Sequence, residues 1–125
     1  MLTFKLWMSA ALLSGAQATG HEGPAAENGA KSAMIQHEAC FNGWGDYRFN
    51  LADTDAEVLA RLRKNCYETR LTAFWMLYRS RPASISSKER DAVALRELEA
   101  AEQGWAKRIR ASAEELVRKQ SARAR

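Results

Sequence analysis

The chain has 125 residues with two cysteines, two prolines and seven glycines, and nineteen basic against fifteen acidic side chains give a formal net charge of +4. That length holds one domain and excludes two, and so mild a charge is no argument for nucleic acid. The sequence has no Gly-rich phosphate loop, nucleophile elbow, His-Glu-x-x-His pair, zinc knuckle or aromatic–basic RNA module, and it calls for no cofactor and no metal.

Residues 1–18 have the three parts of a secretory signal peptide. Lys5 supplies the positive charge, Leu6 to Gly15 form an apolar run, and Ala16-Gln17-Ala18 is an Ala-x-Ala cleavage site. The run is about half of the roughly 20 residues a membrane span requires, and no later stretch is long enough, so the mature chain is expected to have no transmembrane helix. Its expected location is periplasmic or secreted. If cleavage follows Ala18, the new terminus is Thr19-Gly20-His21, a set of nitrogens with the geometry for adventitious Cu(II) or Ni(II). Residues 19–30 have no apolar periodicity and read as a disordered N-terminal segment.

Residues 31–119 read as a helical domain. The first predicted helix, Lys31 to Asn42, places Ala33, Met34, His37, Cys40 and Phe41 on one face. His37 reads as packed on that face, not catalytic. Asn42-Gly43 is a helix stop, followed by a glycine–aromatic loop from Gly43 to Asn50. In that loop Trp44, Tyr47 and Arg48 are candidate binding residues, because Trp, Tyr and Arg dominate interface hot spots. The competing reading is that Trp44 and Phe49 plug the open end of the helices.

The second predicted helix starts at Asp53 or Thr54 with a Thr54/Glu57 capping box and runs unbroken to Pro82. Around Phe74, Trp75, Leu77 and Tyr78 it is apolar on most sides, so that belt is expected to be buried or covered by a partner. Phe74, Trp75 and Tyr78 are further candidate binding residues. A second capping box, Ser86/Glu89, opens the third predicted helix, whose stripe is Leu95, Leu98, Glu102, Trp105, Ile109, Ser112 and Leu116. Glu102 in that stripe is a candidate general acid if burial raises its pKa. No second carboxylate completes a pair, and the alternative is an ion pair with Arg63 or Arg70 across the hairpin. Lys107, Arg108, Arg110, Arg118 and Lys119 form a candidate basic patch for an anionic lipid, wall polymer or acidic protein. The competing reading is a solvated helix end favoured by the helix dipole. Residues 120–125 are expected to be a flexible basic tail.

Cys40 and Cys66 in an exported chain are expected to pair. Closing that loop stabilises a domain by about 3 kcal/mol, a large share for a core of this size. The predicted fold is therefore all-α: a small three-helix domain with a long antiparallel helical hairpin and one disulfide.

The stretch Leu98-Glu99-Ala100-Ala101-Glu102-Gln103-Gly104-Trp105-Ala106-Lys107-Arg108, with Leu71 to Tyr78 before it, resembles the LprI-like lysozyme-inhibitor family of small exported helical proteins. The arginines fall one position off the family's place, and the cysteine that often follows the family's tryptophan helix is absent. The resemblance implies an inhibitor or envelope-binding role and carries over no functional residue. Three functions follow from these readings. The first is an exported, non-enzymatic protein-binding module, such as an inhibitor of a cell-wall-degrading enzyme. The second is an envelope-surface or wall-polymer binder using the basic C-terminal helix. The third is a small hydrolase using Glu102.

The leader predicts a mature chain that begins at Thr19 and has both cysteines protected from alkylation until reduction. Intact mass of the protein recovered from its producing cell checks this.

Overall fold

A computed structural model describes residues 24–45 and 53–124. The predicted leader, residues 19–23 and the candidates Tyr47 and Arg48 lie outside the described residues. Four helices follow in order: α1 (Pro24–Gly45), α2 (Asp55–Asn65), α3 (Tyr67–Ser80) and α4 (Ser87–Arg123). Among the described residues all regular structure is helical, as the sequence predicts, but there are four helices instead of three.

The helix starts follow local chemistry. At α2 the capping box is complete: the Glu57 backbone N–H donates to Thr54 Oγ1 at 3.1 Å, and the Thr54 N–H donates to Glu57 Oε1 at 2.9 Å. At α4, Ser86 Oγ accepts from the Glu89 N–H at 3.1 Å. Pro82 follows the end of α3, because a proline cannot continue the helix before it.

Four expectations are corrected. The predicted disordered segment is helical from Pro24, which sits at the first helical position where its missing N–H costs nothing. Ala26 and Ala30 are buried there, and alanines alone leave no apolar period to read. The stop at Asn42-Gly43 is overridden: α1 runs on to Gly45, held by buried Phe41 and by Gly45 lying against Ile109. The single second helix is broken at Cys66, whose φ/ψ of −108°/31° leaves the helical region although Cys66 N–H→Leu62 O and Arg70 N–H→Cys66 O still form at 2.9 Å. The Cys40–Cys66 disulfide, with its Cα atoms 6.0 Å apart, fastens that break to α1. The flexible tail is helical to Arg123, as expected of a run of good helix formers with a Glu115–Lys119 pair at i,i+4.

α3 and α4 form the predicted antiparallel hairpin, with Arg70 meeting Glu102 at one end and Tyr78 meeting Arg90 near the turn. α1 packs across both, most extensively on α3. The core has two apolar layers. One joins Ala30 and Ala33 of α1, Ala73 and Leu77 of α3, and Ala94 and Leu98 of α4. The other joins Phe41, Val58, Leu62, Cys66, Ala106 and Ile109. Along α1 the buried positions are 26, 30, 33, 37 and 41, and along α4 they are 94, 98, 102, 106 and 109. Both stripes have a polar residue in the middle, His37 and Glu102, and these two meet between the layers.

Two glycines have opposite roles. A Cβ on Gly45 would lie 2.6 Å from Ile109 Cγ2, whereas one on Gly104 meets nothing within 4 Å. Gly104→Ala should therefore raise stability by about 1 kcal/mol, and Gly45→Ala should lower it by about 1–2 kcal/mol through overpacking. Urea midpoints of the two variants against wild type check both signs.

Candidate functional site

The residues with the greatest chemical potential sit between the two apolar layers. Glu102 is fully buried and its carboxylate is saturated with donors. Arg63 Nε donates to Oε1 at 2.8 Å, Arg70 Nε donates to Oε2 at 2.8 Å, and His37 Nε2 lies 2.7 Å from Oε2. His37, equally buried, has its other nitrogen 2.8 Å from Thr69 Oγ1, and that hydroxyl reaches the Cys66 carbonyl at 3.0 Å. The second Arg63 head nitrogen, Nη2, points toward Glu99 at 3.9 Å, beyond hydrogen-bond range. Edge-on rings close the layer, with Phe41 4.9 Å and Trp105 5.5 Å from the His37 ring centroid.

This arrangement joins α1, α2, α3 and α4 through one carboxylate. Burial alone pushes the Glu102 carboxyl up, but the hydrogen bonds from His37, Arg70 and Arg63 and the charge of Arg70 outweigh it and hold the carboxyl below its ordinary value. A raised pKa was the premise for general-acid chemistry, and the premise fails: Glu102 stays ionised and enclosed. The ion-pair reading holds, with both arginines engaged where the sequence argued for one or the other. Thr69 falls at helical spacing after Leu62 and Cys66 on the inward stripe of the second predicted helix, but the sequence did not show that its hydroxyl meets His37. His37 and Glu102 were visible as polar members of two apolar stripes, but nothing in the sequence showed that they meet.

The aromatic belt is organised differently. Phe74 and Tyr78 are half-buried against the first apolar layer. Trp75 packs edge-on to both, at 5.3 Å from Phe74 and 5.6 Å from Tyr78, yet remains 49 % exposed. The Arg90 guanidinium stacks 4.4 Å above the Tyr78 ring and donates to the Tyr78 carbonyl, which fixes that end of the belt. Tyr67 and Leu71, two turns and one turn before Trp75 on the same helical face, are 63 % and 45 % exposed. The result is an outward apolar strip along α3, which the sequence reading had confined to residues 74–78. Trp44, in contrast, is not in a loop: it sits on the last turn of α1.

The basic patch is largely neutralised within the chain. Arg108 pairs with Glu38 at 2.5 Å, Arg110 bridges Asp55 at 2.7 Å and Glu114 at 3.3 Å, and Lys119 pairs with Glu115 at 3.4 Å. A groove of about 370 Å³ beside Arg110 is lined by Asp55, Lys107, Ala111 and Glu114, so its charge is of mixed sign. Among the described residues no group of three His, Cys, Asp or Glu side chains is placed to hold a metal ion, and no helix is long and apolar enough to cross a membrane. The chain matches no family model, no curated protein and no solved structure.

Glu102→Gln removes the charge that compensates two arginines and should cost about 3 kcal/mol. In the wild type the folded carboxyl binds its proton less readily than the unfolded one. Its contribution is therefore complete above the ordinary carboxyl value of 4.5 and is lost as pH falls below it. Chemical denaturation of wild type and variant, and of wild type from neutral to acid pH, measures both effects.

Proposed function

We propose that this chain is an exported, non-enzymatic protein-binding module that docks through the outer face of α3. The observation that carries this reading is the exposed Tyr67–Leu71–Trp75 strip, backed by half-buried Phe74 and Tyr78. A monomeric protein rarely leaves several large apolar side chains aligned in the open without a use for them. Aromatic anchors stiffened by edge-on neighbours lose little freedom on binding, which is what hot-spot residues require. The disulfide and the absence of a membrane-crossing helix among the described residues are compatible with a location outside the cytoplasm. The partner proposed is a folded protein of the envelope or the surrounding fluid, with a cell-wall-degrading enzyme as the first to try on the strength of the LprI-like resemblance.

The alternative, an anionic surface bound by the C-terminal helix, has less support because Arg108, Arg110 and Lys119 are each paired with a carboxylate of the same chain. The hydrolase reading has none left once Glu102 is enclosed and ionised.

Added to a muramidase acting on cell-wall substrate, the protein should slow lysis. Trp75→Ala should weaken that inhibition by about 2 kcal/mol while leaving the helical circular dichroism unchanged. No effect of wild type on any wall hydrolase tested, and no protein retained on it that Trp75→Ala releases, would sink the reading.

A further inference from the structure

Within the polar layer, three side chains from three helices stand in one hydrogen-bonded line. Glu102 Oε2 of α4 lies 2.7 Å from His37 Nε2 of α1, and His37 Nδ1 lies 2.8 Å from Thr69 Oγ1 of α3. Arg63 and Arg70 keep the carboxylate ionised. An ionised carboxylate has no proton to give, so the proton of the first bond belongs to Nε2. In the neutral ring the lone pair is then on Nδ1 and meets the Thr69 hydroxyl. That hydroxyl has one other acceptor in reach, the Cys66 carbonyl at 3.0 Å, which already accepts the Arg70 N–H at 2.9 Å. Hydroxyl, imidazole and carboxylate in this order are the arrangement that activates an oxygen nucleophile.

The line ends at the surface. His37 and Glu102 are fully buried, whereas Thr69 is half-buried and lines a groove of about 200 Å³ between α1 and α3. The other walls are Ala33, Gln36, Glu68 and Thr72. Sites for drug-sized ligands start at roughly 300 Å³, so this groove suits a smaller group. Its lining has one carboxylate and no cation, which repels phosphate esters and other anions. The Gln36 amide is a donor for a carbonyl oxygen. Thr69 stands on the first turn of α3, whose N-terminus has no side-chain cap, so the positive end of the helix dipole borders the place where an oxyanion would form.

We propose that Thr69 is an acyl-accepting nucleophile, with His37 as its base and Glu102 as the residue that positions His37. The donor is a small carboxylic ester, uncharged or cationic. Thr69 Oγ1 bonds to the ester carbonyl carbon as its proton passes to His37 Nδ1. The bond from that carbon to the alcohol oxygen then breaks, and the departing oxygen takes the proton from His37. The products are acyl-Thr69 and a free alcohol. Each chain reacts once. Deacylation would require a water at His37 Nδ1, and behind an acylated Thr69 the ring has no exposed surface. The chain is therefore modified and does not turn over, and the chemistry is independent of docking by the α3 strip.

The test is reaction of the full chain, as recovered from its producing cell, with p-nitrophenyl acetate near neutral pH. Wild type should release about one equivalent of nitrophenolate in a fast phase, and peptide mapping should place the acetyl group on Thr69. Thr69→Ala should lose the fast phase, and Thr69→Ser should keep it. His37→Gln should slow it at least about a hundredfold with helical circular dichroism unchanged. The nitrogen chemical shifts of His37 in wild type should show the ring proton on Nε2. Acetyl groups on amines alone overturn the proposal. So does a fast phase that survives Thr69→Ala or His37→Gln, or a ring proton on Nδ1. The two Thr69 variants decide the matter even where His37→Gln fails to fold.

Discussion

The buried carboxylate of Glu102 is the constraint on which the rest of the fold depends. A charge with no solvent contact is tolerated only when its oxygens are satisfied, and here the three donors arrive from three different helices: His37 from α1, Arg63 from α2 and Arg70 from α3. α4 can therefore occupy only one level in the bundle. A slip of one turn along its axis would present Leu98 or Ala106 to the two arginines and bury their charge against hydrocarbon. The apolar layers above and below are rich in alanine and could accept neighbouring registers. The polar layer between them cannot.

The disulfide and the break at Cys66 belong to the same device. Arg63 and Arg70 are seven residues apart, two turns of a continuous helix, and the departure from helical geometry falls between them. Cys66 is bonded to Cys40 one turn after His37, its carbonyl accepts from Thr69, and Thr69 in turn meets His37. The covalent staple and the hydrogen-bond chain thus run side by side between α1 and the α2–α3 junction.

With the interior occupied in this way, the features left for recognition are outward surfaces. The α3 strip is a preassembled aromatic face anchored by Arg90, and Leu116 and Val117 are exposed toward the far end of α4. Neither is a cleft. Both owe their exposure to the economy of a small core, in which small side chains bring helices close and leave the larger ones outside.

Much of this was legible in the residues. The all-α class, the capped starts of α2 and α4, the antiparallel α3–α4 pairing, the disulfide and the arginine partners of Glu102 follow from periodicity, capping chemistry and cysteine count, all of which act locally or through simple pairing. What escaped was set by contacts distant in sequence. Pro24 to Ala30 form a helix because alanines meet α3 and α4, and alanine leaves no hydrophobic period to read. α1 passes its glycine stop because Ile109 waits beside Gly45. The second helix is broken at Cys66 although no glycine or proline marks the place. The meeting of His37, Thr69 and Glu102 was likewise decided by the tertiary structure alone: sequence reveals which side chains dislike their stripe, but only the packing of helices shows which of them face one another.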